Sequence, residues 1–175
     1  REMLEMLKSA GQSVIIAVRG NVIAGWEVLH PSSGDRLPKA DDNATVLARE
    51  VHSVRVLLLS DLGEAGQADL AESGLDLRSD IAVTSMPGVG EPLGQALLEA
   101  IDPKAIVISA GSYPYKEIPS TALLDRLVKR DVPVLNTLTD GGVEVKIRRT
   151  GEWQIKSMHG REVTFPHEAA KFNFM

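Results

Sequence analysis

The stretch VRVLLLSD, residues 54–61, is apolar at consecutive positions and ends on a serine and an aspartate. A strand that faces water on one side alternates apolar and polar residues. A strand apolar on both faces lies inside a sheet that is covered above and below. AIVISAG (105–111) has the same character. Two such strands demand a layered α/β architecture. The chain of 175 residues has 43% hydrophobic residues, enough for one core of that kind.

The remaining elements follow from local rhythm and turn residues. Met3, Leu4, Met6 and Leu7 suit the end of a helix that stops near Gly11. SVIIAV (13–18) and WEVLHP (26–31) are expected to be strands joined by a turn at Gly20-Asn21. ATVLAREV (44–51) and VRVLLLSD are expected to form a hairpin turning at His52-Ser53. Beyond Asp61 the pattern becomes helix 63–74, strand 79–86, helix 92–101, strand 105–111, helix 121–131 and strand 133–138. A closing hairpin, 142–149 with 152–158, turns at Thr150-Gly151. Hairpins, then β-α-β-α-β, then a hairpin predict a mixed sheet with flanking helices. The unit is expected to span 1–158. The tail, 159–175, holds Phe165, Phe172 and Phe174, all the phenylalanines of the chain, and is expected to dock.

Charge and composition exclude several functions. A net charge of -5 argues against an extended basic face for nucleic acid. The absence of cysteine removes disulfides, thiolate zinc sites and cysteine nucleophiles. No apolar run reaches the length of about 20 residues that a membrane helix needs. The chain opens on Arg1 within a helical pattern and reads as a piece of a longer protein.

Several motifs resemble the second half of a metallo-β-lactamase-fold domain of the kind appended to ComEC-type DNA-uptake channels of bacterial competence. VLHP (28–31) and ADDNA (40–44) match a strand-and-loop pair of that family, which there reads VLHP and ADDNS. LSD (59–61) stands where the family has TGD. LLEAIDPKAIVIS (97–109) matches FLEAVNPKVAIIS, and TALLDRLVKRDVP (121–133) matches a helix LLERLKKAGI. The resemblance covers most of residues 4–158. It implies an αββα sandwich, of which this chain would supply the C-terminal portion, with a di-metal site at one edge.

The same comparison implies that the site is degenerate. Its His-x-His-x-Asp-His motif belongs upstream and is absent from the chain. Ungapped alignment places Asp61 on the strand-end metal-binding aspartate. It places Met86 and Pro87 on the histidine pair of PHHGS, and Ile118 on the last histidine. Methionine is a soft, weak ligand, and proline and isoleucine offer no donor for a bridged pair of cations. Asp61 is therefore a vestigial candidate, and no metal or other cofactor is expected. Zinc or manganese enters only if ligands come from outside the chain.

Other candidates are weaker. Asp41-Asp42-Asn43 offers oxygens for a hard cation but is expected to be a turn. SMPGVGEPLG (85–94) places glycines before a helix, yet it lacks the Lys and Ser/Thr of a phosphate loop. His30, His52, His159 and His167 have no ligand spacing. Ser60, Ser85 and Ser109 lie at strand ends without the Gly-x-Ser-x-Gly elbow. Lys146, Arg148, Arg149 and Lys156 form a basic cluster on the closing hairpin, a weak candidate for DNA contact.

The favoured expectation is a degenerate, non-catalytic domain of a ComEC-type competence protein with a structural or interaction role. It would be a soluble domain of a bacterial membrane-associated parent, a channel. The alternatives are a metal-dependent phosphodiesterase or nuclease completed by upstream ligands, and a free-standing binding protein on the same scaffold. Half a sandwich leaves a sheet face bare, so a homodimer or docking on a missing N-terminal segment is expected.

Overall fold

The computed structural model describes residues 2–34, 37–112 and 118–166. It is a mixed α/β structure with a seven-stranded sheet, helices against one face, and a second sheet of three strands. In chain order the elements are α1 (Glu2–Ser9), β1 (Val22–Ile23), β2 (Trp26–His30), a 3-10 turn (Asp41–Asn43), β3 (Val46–Val51), β4 (Val54–Leu58) and α2 (Glu64–Glu72). There follow β5 (Ile81–Ser85), α3 (Gln95–Ile101), β6 (Ala105–Ser109), α4 (Thr121–Val128), β7 (Val134–Asn136) and the single turn α5 (Thr137–Asp140). The chain closes with β8 (Val143–Ile147), β9 (Trp153–Ser157) and β10 (Glu162–Phe165).

The large sheet runs β1-β2-β3-β4-β5-β6-β7 in space as in sequence. Pairing is antiparallel as far as β4 and parallel from β4 to β7. The change of direction at β4 follows from the connections. The two-residue turn His52-Ser53, both in left-handed conformation, reverses the chain. Parallel neighbours then require crossovers, which α2, α3 and α4 supply.

The strands apolar on both faces are covered on both, as their composition demands. Val46, Ala48, Leu57, Ala82, Ile106 and Ile108 point to one face and meet Leu70 of α2, Leu97 and Leu98 of α3, and Leu123 and Leu127 of α4. Their neighbours Ile81, Ala105, Val107 and Leu135 point to the other face. There they meet Trp153 and Ile155 of β9, with Val143, Val145 and Ile147 of β8 alongside. The second sheet is itself two-sided: its inner residues are buried or half-buried, and Glu144, Lys146, Lys156 and Glu162 are exposed.

Four features differ from the sequence reading. Residues 13–18 form no strand, and their apolar side chains lie largely in solvent. Apolar β-branched composition favours a strand only where a neighbouring edge accepts its hydrogen bonds, and the edge next to β2 is taken by the short strand β1. The turn expected at Gly20-Asn21 lies one residue earlier, at Arg19-Gly20, closed by the Asn21 amide on the Val18 carbonyl at 3.0 Å, and a second turn at Ala24-Gly25, both residues with positive φ, joins β1 to β2. A third strand, β10, extends the closing hairpin beyond residue 158, and Phe165 stacks on Trp153 at 3.8 Å between ring centroids. The bare sheet face expected of half a sandwich is thus covered over β5–β7 by the chain's own second sheet. Across β3–β5 the row Leu47, Leu58 and Val83 stays half-buried. Phe172, Phe174 and His167 lie outside the described residues.

Trp153 is the largest side chain between the two sheets. Truncation to alanine removes both the ring stack and the cover over Ile81 and Val107. Trp153→Ala should lower stability by about 3–5 kcal/mol, measured by urea denaturation.

Candidate functional site

The parallel strands β4, β5 and β6 end along one edge, where open α/β sheets place their ligands. Asp61 lies there, half-buried in the turn that follows β4. Ser60 before it has φ of 55°, a left-handed conformation that L-residues other than Asn and Asp rarely adopt. The Ser60 carbonyl accepts from the Ser85 amide at 2.7 Å and the Thr84 hydroxyl at 3.3 Å, which ties the end of β4 to the end of β5. Its own hydroxyl donates to Asp61 Oδ1 at 3.1 Å. A glycine at this position would adopt the left-handed backbone without strain.

The other matched positions carry no ligand chemistry. Met86 is half-buried against the helix-side core, Pro87 is buried, and Ile118 is exposed. Among the described residues, no three His, Asp or Glu side chains converge as a metal site would require.

A denser polar cluster lies beside this edge, in the 3-10 turn. The Asp42 side chain is buried, and its Oδ1 accepts from the Ala65 amide at the start of α2, 3.2 Å away. The Asp42 carbonyl accepts from His30 Nε2 at 2.8 Å. His30, also buried, meets Asp69 Oδ2 through Nδ1 at 3.2 Å, and Arg19 donates to the same oxygen at 2.9 Å. Gly63 and Gly66 permit the approach of α2: a Cβ would lie 2.3 Å from Asp42 Oδ1 at the first and 2.4 Å from the Asp42 carbonyl oxygen at the second. Asn43 completes the turn by bonding Leu37 and Lys39 main-chain groups. One carboxylate oxygen each of Asp41 and Asp42, and the Asn43 carboxamide oxygen, are thus engaged within the protein.

The glycine-rich loop is engaged in the same way. Gly88 donates to Asp41 Oδ2 at 2.8 Å. Gln67 donates to the carbonyls of Leu62 and Glu91 and accepts from the Gly94 amide at 2.7 Å, just where α3 begins. Amides that would greet a phosphate at this helix start are answered by a carboxylate and a carboxamide.

The remaining candidates disperse. His52 sits in the β3–β4 turn, and His159 meets the Thr139 carbonyl at 2.6 Å. Neither these nor His30 bonds Ser60, Ser85 or Ser109. Of the basic cluster, Lys146 pairs with Glu144 at 3.1 Å, Arg148 with Glu152 at 3.8 Å and Lys156 with Glu162 at 4.0 Å. The outer face of the small sheet is therefore charge-balanced around Lys146, Arg148 and Lys156; Arg149 lies exposed in the turn. A cleft of about 550 Å³ between α3 and α4 is lined by Gln95, Asp125, Arg126, Lys129 and Arg130, and includes none of the matched positions. Arg126 there pairs with Glu91, and Arg130 with Glu99 and Asp102.

Sequence alone presents Asp41-Asp42-Asn43 as a local turn and does not single out Arg19, Asp69, Gly63 or Gly66. The two glycines carry a usable signal: spaced three apart at a helix start, they mark one face open to close approach.

No family model matches the chain. Over 159 residues the chain is 22% identical to ComE operon protein 3 of Bacillus subtilis (strain 168), a similarity that covers 88% of this chain and 20% of that protein. The chain thus spans about one fifth of the length of this relative. The similarity supports a competence-associated link. Among the described residues, no helix is long and apolar enough to cross a membrane.

Two substitutions test this local account. Ser60→Gly should raise stability by about 0.5–1 kcal/mol, because glycine adopts the left-handed backbone without strain. Gly66→Ala should lower it by about 1–3 kcal/mol, because the added methyl meets the Asp42 main chain and Leu62. Thermal denaturation followed by circular dichroism reads both.

Proposed function

We propose that this chain is a degenerate metallo-β-lactamase-like module of a ComEC-type competence protein, without hydrolase activity, and that its role is structural or interactive. The observation that carries the reading is the chemistry of the strand-end edge. A di-metal hydrolase needs several imidazoles and carboxylates around a bridging water. The matched positions hold Met86, Pro87 and Ile118, and leave Asp61 as the one carboxylate, with Ser60 as its hydrogen-bond donor. The similarity to ComE operon protein 3 supports the competence link; a membrane-associated parent and a part in DNA uptake belong to the proposal.

A metal-dependent phosphodiesterase completed by ligands from another segment is the second reading. It is favoured by the half-buried Asp61 carboxylate, which remains at the end of a parallel strand. The two readings separate in one set of measurements. A protein that carries this chain together with the adjoining segments of its parent, loaded with zinc or manganese and dialysed, should retain less than about one equivalent of metal. It should leave bis-p-nitrophenyl phosphate and single-stranded DNA uncleaved, and Asp61→Asn should cost at most about 1 kcal/mol of stability. Retention of a stoichiometric ion, with cleavage that Asp61→Asn abolishes in a folded protein, would establish the enzyme.

A further inference from the structure

Ser60 is an exposed serine held in a left-handed backbone. It stands in the turn between β4, an interior strand of the large sheet, and α2. A strained serine on a sharp turn from strand to helix, open to solvent above the strand ends, is the backbone arrangement of a serine nucleophile. The sequence carries no sign of it, because Leu58 and Leu62 stand where the usual motif has its glycines. Two further groups are in place. Asp61 Oδ1 accepts from Ser60 Oγ at 3.1 Å, within the reach of a general base. The Asp61 amide, next in the chain, has no hydrogen-bond partner among the described residues. The amide that follows a nucleophile is the one that receives a developing oxyanion.

We propose that Ser60 is an acyl acceptor, which takes an acyl group from an activated ester with Asp61 as its base. Ser60 Oγ attacks the ester carbonyl carbon while its proton passes to the Asp61 carboxylate. The bond from Oγ to carbon forms, the bond from that carbon to the leaving oxygen breaks, and the products are an acyl-serine and a phenolate. Nothing is oxidised or reduced. A phenolate departs without a proton, which sets the substrate class as an ester with a good leaving group. The acyl part it would carry is apolar. Leu47, Leu58 and Val83 lie opposite one another on β3, β4 and β5, and this half-buried row ends two residues short of Ser60 and Ser85.

Hydrolysis of the acyl-serine is a separate step that needs a base for water. None of His30, His52 and His159 bonds Ser60 or Asp61. The acyl group therefore stays on the serine. The inference goes beyond the proposed function and leaves it intact, since it concerns a covalent modification that uses no cation. Ser85 and Ser109, at the ends of β5 and β6, serve as internal controls: among the described residues no carboxylate meets either hydroxyl.

The test uses a protein that carries this chain together with the adjoining segments of its parent, treated with p-nitrophenyl butyrate in the presence of EDTA. The expected result is a burst of about one equivalent of p-nitrophenolate, with butyrate mapped to Ser60 by peptide mass spectrometry and Ser85 and Ser109 unmodified. Asp61→Asn should slow the burst at least about 100-fold, because the carboxamide keeps an oxygen for the hydroxyl but takes no proton. Ser60→Ala should abolish it, and Ser60→Gly, which relieves the backbone, reads the same loss if the alanine variant does not fold. The mapping on the unaltered protein decides the matter even where a variant fails. Absence of butyrate from Ser60 overturns the proposal. So does equal modification of Ser85 and Ser109, or a folded Asp61→Asn variant acylated as fast as the unaltered protein. Release that continues past one equivalent and is lost in Ser60→Gly overturns the claim that the acyl group stays.

Discussion

The packing of α2 depends on the main chain at Asp42. A helix can approach a turn this closely only where it has no side chain, and Gly63 and Gly66 provide that gap. The approach strips water from the Asp42 carboxylate and carbonyl, and buried polar groups need replacements for the water they lose. Ala65 of α2 supplies one donor and His30 of β2 the other. His30 in turn places its second nitrogen on Asp69, a residue of α2, and Arg19 balances that carboxylate from the loop before β1. The chain therefore closes a ring, from β2 through the 3-10 turn to α2 and back. Each member is held because the next would otherwise be left unpaired. Networks of this kind specify one arrangement more sharply than apolar packing does, since a half-satisfied network costs more than none.

That ring bears directly on the strand-end edge. Asp41 belongs to the same turn and reaches across to Gly88, while the Ser60 carbonyl takes the Ser85 amide and the Thr84 hydroxyl. In a di-metal site the loops at such an edge are drawn together by cations that they share. Here the same loops are joined by a carboxylate, carbonyls and amides of the protein itself. A hydrogen bond to an ionised group contributes more than a neutral one, so the Asp41–Gly88 contact anchors the loop that carries Met86 and Pro87. The edge thus has its own means of order.

Much of the fold is legible in the chain because the governing signals are local or strongly periodic. VRVLLLSD and AIVISAG announce interior strands, and His52-Ser53 announces the hairpin between β3 and β4. The failures share a cause. SVIIAV has the composition of a strand but no neighbour to pair with among the described residues. EVTF (162–165) is short and half polar, and becomes β10 only because β9 offers an edge and Trp153 a surface for Phe165. Whether such a segment becomes a strand is decided by a partner distant in sequence, which composition does not reveal. The same holds at the candidate site. The position of Asp61 after β4 follows from the apolar run before it, but the role of Asp42 rests on contacts with residues 12 and 23 positions away.

Ser60 joins these threads. A left-handed serine stores strain of about 1 kcal/mol, a sizeable part of the stability that a domain of this length can spare. Strain at a strand end persists only where the surroundings enforce it. Three contacts do so here: the Ser85 amide and the Thr84 hydroxyl on its carbonyl, and its own hydroxyl on Asp61. The first two need only a backbone and would serve a glycine equally well. The third needs a side chain, and its acceptor is the Asp61 carboxylate. A serine at this position exchanges the backbone comfort of a glycine for a local hold on Asp61.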